Sequence, residues 1–393
     1  MDHPPPALVL RDCRVLDGVG HPLAQRELWI ARGLIIEPHS APIGAVTILG
    51  GRVVAPGLID AHVHLSFDAG PDPIAAYLAA TPAQLIELMR RNAARTLEAG
   101  VTTVRDLGAP TPLILMLRKE IAAGLSVGPR LIASGMPMTV PGGHMHELGS
   151  PVRGVDAVRE FVRAQSSAGI DLIKVMATGG GSSPQTDPRA CQFTDSEVRA
   201  AVESARTVGL RVACHAHADA GIRQAVAAGV HSIEHGSYAS GAALQAMEIA
   251  GTALVPTLLP AVAALEQDLS PERRTAIIDR FESRQQVVRD ATRLGVRVAA
   301  GTDAGVAFMA HGRVAGEVQA LADCGMPAAR ALAAAGREAA ALLGHPGLGT
   351  LVPGAPADLI VLDGNPLEDL SVLSMPSAVM RMGGWVRSLV SPL

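Results

Sequence analysis

The chain has 393 residues, 48% of them hydrophobic and 2% aromatic, with a formal net charge of −4 and a pI near 6.4. That is enough apolar material for a large core and as many as two domains. The slight acidity gives no reason to expect a nucleic-acid or anionic-membrane partner, and so few aromatics leave no base-stacking platform.

Residues 1–55 begin without a secretory pattern, and no window supplies the roughly 20 apolar residues of a membrane span. Cys13, Cys191, Cys214 and Cys324 stand apart with no CxxC pair, as expected of reduced thiols in a cytoplasmic protein. From residue 7 onward, short β-rich runs alternate with the turn pairs Asp17-Gly18, Arg32-Gly33 and Gly50-Gly51. Residues 349–393 behave likewise, with Asp363-Gly364 and Gly383-Gly384. Neither end has enough strands to bury a core by itself. The expectation is that 1–55 and 349–393 pair as one composite β-sandwich domain.

Between them, apolar strand candidates recur at 57–65, 101–107, 129–135, 172–178, 211–217, 232–236, 252–258 and 296–304. Their near-continuous apolar character fits parallel strands covered on both faces. Helical patterns fill the gaps. Leu85, Ile86, Met89, Ala93 and Leu97 share one helical face that stops at Gly100, Thr194 and Glu197 have capping-box spacing, and Arg273 to Leu294 reads as a long charged helix. Eight strands alternating with helices predict an α/β fold, a closed (β/α)8 TIM-like barrel over 56–348. An open doubly wound sheet would gather its site from fewer strands.

Chemistry-bearing residues fall at the ends of these strands. His62 and His64, separated by one residue, project to one side of the first. Two converging imidazoles are a metal-binding arrangement. Lys174, His215, His235 and Asp303 close the fourth, fifth, sixth and eighth strands, whose ends share one mouth in a barrel. A charged lysine is a poor ligand, but its amine can react with CO2 to give a carbamate able to bridge two ions, and burial near charge promotes this.

With VAPGLIDAHVHL, the strand-four lysine, the two later histidines, GTDAG and GTLVPGAPADLIVLDGNPLEDL, the chain resembles the amidohydrolase superfamily over essentially its whole length. His62, His64, Lys174, His215, His235 and Asp303 match the binuclear carboxylated-lysine subtype residue by residue. The resemblance implies one ion on His62, His64 and Asp303 and a second on His215 and His235. Carboxylated Lys174 and a hydroxide would bridge them, and zinc is the expected metal. ASGMPMTVPGGHMH, KVMATGGGSSP and SIEHGSYAS are most similar to the prolidase-like and imidazolonepropionase-like branch, which implies that His144 contacts the scissile carbonyl. His146 departs from the branch pattern, which usually has a small residue there.

The expected reaction is hydrolysis of an amide in a small substrate such as a dipeptide or N-acyl amino acid. A water acidified by two metals attacks, His144 stabilises the oxyanion, and Asp303 carries the proton to the leaving amine. His217 shares the strand face of His215 and is a candidate substrate or supporting contact. Tyr238, Arg189 and His311 are further candidates for holding substrate, and Cys214 should point away from the mouth into packing. Deamination of a cyclic amidine or nucleobase is the alternative, with Asp219 nearest to the glutamate that such relatives carry. A lactone or phosphoester substrate is a third reading. The partner is a small molecule, and a homo-oligomer is compatible with the sequence.

Overall fold

The computed structural model describes residues 5–183 and 185–387. Burial is mixed along β1 (Ala7–Val15), β2 (Ala24–Ala31), β3 (Leu34–Ile36) and β4 (Ile43–Pro56), with β2 open in its first half and β4 mostly open until its last four residues. Burial then becomes almost continuous through β5 (Leu58–Val63), β6 (Val101–Asp106), β7 (Arg130–Ala133), β8 (Met138–Thr139) and, past the half-open β9 (Ser150–Pro151), through β10 (Leu172–Met176). It persists in β11 (Arg211–Ala216), β12 (Ser232–His235), β13 (Ala253–Val255) and β14 (Leu359–Leu362), ahead of β15 (Ala378–Arg381) and β16 (Gly384–Arg387).

Strands from both chain ends form one seven-stranded sheet, in the order β16-β15-β14-β4-β1-β2-β3. The joint is β4, which pairs in parallel with β1 and antiparallel with β14. Its pairing with β1 shifts around Gly50 and Gly51, whose φ values of 60° and 77° create a bulge and bend the strand. Leu10, Leu28 and Ile30 consequently share a core with Leu359, Val361 and Met380 from the opposite half of the sheet. Instead of two separately bonded layers, the expected sandwich is one continuously hydrogen-bonded sheet curled around a common core.

The remaining strands are parallel and fall into two sheets, β13-β12-β11-β10-β8-β9 and β5-β6-β7. The expected eighth strand, 296–304, forms no extended strand. It instead makes isolated parallel bridges, Leu254 with Val298 and Val63 with Ala304, so it lies between β13 and β5. Ala61 N–H donates to the Ala300 carbonyl at 2.9 Å and Asp303 N–H to the His62 carbonyl at 2.7 Å. Residue alternation sorts the strands' two faces. Ile59, Ala61, Leu172, Ala213, Val255 and Ala299 pack together on one side, while Ile173, Val175, Val212 and Cys214 pack beneath helices on the other. Thr81 with Gln84, and Thr194 with Glu197, form capping boxes that start the Pro82–Glu98 and Asp195–Thr207 helices. Among the described residues, no helix is long and apolar enough to cross a membrane.

Candidate metal centre

Strict alternation from Ile59 and Ala61 would turn His62 and His64 outward. A register shift between Asp60 and Val63 reverses this, sending Val63 and Leu65 into the helix-covered core and both imidazoles inward. His62 Nε2 and His64 Nε2 lie 3.4 and 3.2 Å from Asp303 Oδ1. Asp60 ties the two segments together, accepting from Thr302 N–H at 3.0 Å, Thr302 Oγ1 at 2.6 Å and His62 N–H at 3.2 Å.

Each of these rings is held by its far nitrogen. His62 Nδ1 donates to Glu234 Oε2 at 2.9 Å and His64 Nδ1 to the Gly108 carbonyl at 3.2 Å, which leaves both Nε2 atoms for a ligand role. His215 is held the other way round: its Nε2 donates to the Gly179 carbonyl at 3.0 Å, so Nδ1 is the open nitrogen. His235 Nδ1 pairs with Thr257 Oγ1 at 2.6 Å. By alternation, His235 would follow Ile233 outward, but its φ of 68° turns the ring into the mouth beside His62, at 5.2 Å between ring centroids. Asp303 and Thr257 share this left-handed backbone, with φ of 55° and 49°.

Two ligand-like triads result, His62, His64, Asp303 and His215, His217, His235, the donor atoms of each lying within 4.8 Å of one another. Neutral imidazoles with their other nitrogen engaged, plus a carboxylate, suit a divalent ion. The sequence alone suggests His217 only as a substrate or supporting contact. The structure places its ring 4.7 Å from that of His215, with Nδ1 against Ser237 Oγ at 2.8 Å.

Burial dominates the electrostatics here. It pushes His62 down to about 4 and holds His215 and His235 well below the ordinary histidine value. Burial also lowers Lys174 to about 8 against the opposing pull of Glu234 and Asp303. Asp303 stays well below the carboxylate range because His62, His64 and Lys174 outweigh its burial. Glu234 is likewise held low despite burial, chiefly by Arg105, whose Nη2 is 2.9 Å from Oε1. The sequence reading missed Glu234 and Arg105. The available signal was a carboxylate inside the apolar strand SIEHG, since a buried charge requires a partner.

Above the triads lies a cavity of about 740 Å³, lined by His144, His215, His217, His235 and Asp303 and, on one wall, by Arg280 and Arg284. His144 is buried, which lowers it to about 3, and its ring centroid lies 4.4 Å from that of His215. Ser183 Oγ meets its Nδ1 at 3.1 Å, and Gln192 Oε1 accepts its N–H at 2.6 Å. A Cβ at Gly180 would fall 2.4 Å from His144 Nε2, so only glycine lets this loop close over the ring.

Other candidates lie elsewhere. Arg189 stacks 3.8 Å over the Tyr238 ring, and both side chains bond to Asp279, Arg189 at 3.4 Å and the Tyr238 hydroxyl at 2.8 Å. Neither lines the cavity. His311 is buried with Nε2 at 3.3 Å from the Phe67 carbonyl, also outside the lining. His146 is 40% exposed beside Glu147. Asp219 is spent on Ser240 N–H at 2.9 Å and Arg223 at 2.8 Å. Cys214 is packed away from the mouth, as alternation required.

The Amidohydrolase family profile matches residues 53–386. The chain belongs to the amidohydrolase family. Ochratoxinase from Aspergillus niger is 31% identical over 359 residues, covering 83% of this chain and 73% of that protein. Imidazolonepropionase from Deinococcus radiodurans is 28% identical over 388 residues, covering 89% and 88%. A Xaa-Pro dipeptidase solved with methionine in its active site superposes with a TM-score of 0.88 at 31% identity, over 97% of this chain and 100% of that one. These likenesses support the prolidase-like and imidazolonepropionase-like branch, so this amidohydrolase is an enzyme acting on carbon–nitrogen bonds. Members of the family generally bind divalent metals and act on small molecules.

Proposed function

We propose that this amidohydrolase cleaves the amide bond of a dipeptide or N-acyl amino acid at a two-metal centre. The observation that carries the reading is the meeting of the two triads, with the His62 and His235 ring centroids 5.2 Å apart and the buried Lys174 charge acting on both His215 and Asp303, beneath a cavity lined by His215, His217, His235 and Asp303. The ochratoxinase and Xaa-Pro dipeptidase relatives support an amide substrate. In this reading the two parallel sheets and the 296–304 segment close as a (β/α)8 barrel, with residues 1–55 and 349–393 as the second domain.

One divalent ion on His62, His64 and Asp303, and one on His215 and His235 with carboxylated Lys174 shared between them, would supply an acidified water and an electrophile for the carbonyl; zinc is the expected metal. Glu234, Gly108 and Thr257 keep the imidazoles oriented and their inward nitrogens free. His144, neutral and fixed by Ser183, donates toward the developing oxyanion. Asp303 combines a low pKa with 15% side-chain exposure to the cavity, and it holds the proton in transit from water to the leaving amine. Asp219 is tied to Ser240 and Arg223, so the structure adds no support for deamination.

The deciding experiment is elemental analysis of purified protein and a Lys174→Ala variant, with amine release from a dipeptide and N-acyl amino acid panel. About two ions per chain, a sharp fall in the variant, and amine release are expected. A single ion unaffected by the substitution, or ammonia as the sole nitrogen product, would retire the reading.

A further inference from the structure

The Pro271–Leu294 helix carries Arg273, Ile277, Arg280 and Arg284 at spacings of four, three and four, one helical face, and all four line the cavity. Their charges are used unequally. Arg284 is buried and structural, its Nη1 donating to the Thr257 carbonyl at 2.6 Å and to Thr257 Oγ1 at 3.2 Å. Asp279, the carboxylate next in sequence to Arg280, is occupied by Arg189 and Tyr238 on the outer side of the helix. Arg280 itself has no hydrogen-bond or ion-pair partner among the described residues, although it is only partly exposed.

The guanidinium of Arg280 reaches across to the loop after β10. A Cβ on Gly181 would stand 3.1 Å from its Nη2, one residue beyond the glycine that packs on His144. It is close enough to His217 and Arg284 to disfavour their charged forms. Two of the cavity's carboxylates are committed elsewhere: Asp72 caps a helix by accepting Ala75 N–H at 3.0 Å, and Asp303 is held by the histidines, while Glu147 Oε2 stands 3.4 Å from His146 Nδ1 without a hydrogen bond. An unpaired guanidinium facing a cavity near the reacting centre is a fork of donors shaped for a carboxylate.

We infer that Arg280 is the specificity determinant that binds a free carboxylate on the substrate, selecting dipeptides and N-acyl amino acids over neutral amides. This rests on the amide-hydrolysis reading and narrows it. It favours Arg280, one helix turn from Arg284, over Arg189 and His311, the sequence's candidates for holding substrate, neither of which lines the cavity.

The test pairs kinetics with turnover-free binding on the metal-loaded enzyme. N-acetyl-phenylalanine is compared with N-acetyl-phenylalaninamide as substrate, and phenylalanine with phenylalaninamide by calorimetric titration, in wild type, Arg280→Met and Arg280→Lys. Wild type should prefer the acid in both comparisons by about 10- to 100-fold, the scale of one charge-assisted contact. Arg280→Met should abolish the preference through the acid's KM rather than its kcat, and Arg280→Lys should recover part of it. An acid-to-amide ratio that Arg280→Met leaves unchanged overturns the inference while amide hydrolysis stands. A binding preference that disappears in Arg280→Met, with neither acetylated compound hydrolysed, keeps Arg280 as the carboxylate contact and retires the amide reading.

Discussion

Glu234 and His62 form a fully buried hydrogen bond of 2.9 Å, although 172 residues separate them in the chain. On its other side, Glu234 meets Arg105, which is equally buried and donates Nη1 to Ser232 Oγ at 3.0 Å. The carboxylate thus orients a ligand-side imidazole and neutralises an interior guanidinium at once. Glu234→Gln should keep the fold but weaken the first ion by about 10- to 100-fold. Glu234→Ala should also strand Arg105 and cost about 3–5 kcal/mol. Metal titration and urea denaturation separate the two effects.

The second triad offers three histidines where the sequence reading wanted two. His215→Ala should lose about one ion per chain. His217→Ala should retain both ions and raise KM, because His217 Nδ1 is already paired with Ser237 and its ring lines the cavity. Elemental analysis decides; an ion lost on removing His217 makes it a ligand.

His144 is positioned by Ser183, so the two substitutions should form a graded pair. His144→Ala should lower kcat by about 10²–10³-fold, the scale of one lost oxyanion donor, with metal content unchanged. Ser183→Ala should lower kcat less, about tenfold, by freeing the ring. Equal kcat in His144→Ala and wild type would remove His144 from the reaction.

Stability of the metal-free chain should rise with pH through the acid range. Burial holds His62 and His311 at about 4 and His144 at about 3, with His215, His217 and His235 well below the normal value. Unfolded histidines titrate near about 6.5, so between these limits the unfolded chain binds more protons and stability falls as pH drops. His231 is lowered by burial as well. Four groups oppose this trend. Asp60 and Glu317 are raised to about 7 by burial, Asp106 is raised by burial, and His64 is raised because its Asp303 bond outweighs burial. Each of these contributes stability below its unfolded pKa that is lost as pH rises through the folded value. Seven groups outnumber four, so the urea midpoint of chelator-treated protein should be lower at about pH 5 than at about pH 7. A higher midpoint at the acid end would contradict this balance.

Much of the molecule follows from local rules. The apolar runs at 101–107, 172–178 and 211–217 became strands because continuous burial suits parallel pairing. Thr194 and Glu197 start a helix because their side chains satisfy each other's exposed N–H groups. The segment 296–304 carried the same apolar signal yet forms only two isolated bridges. Periodicity reports burial, whereas a strand also needs a sustained ladder, and here the pairing is confined to Val298 with Leu254 and Ala304 with Val63.

By itself, the sequence determined which residues are the candidates for the chemistry: His62, His64, Lys174, His215, His235 and Asp303 all stand at the ends of apolar runs, where their types and spacing are visible. Only the tertiary structure decided which way they face and what supports them. The register shift in β5 and the positive φ of His235 override simple alternation, and they exist only because neighbouring strands hold the backbone there. Glu234 with Arg105, Ser183 with His144, and the unpaired Arg280 depend on segments distant in sequence meeting in space. Pairing of buried charge is a property of three-dimensional proximity, and no local pattern encodes the partner.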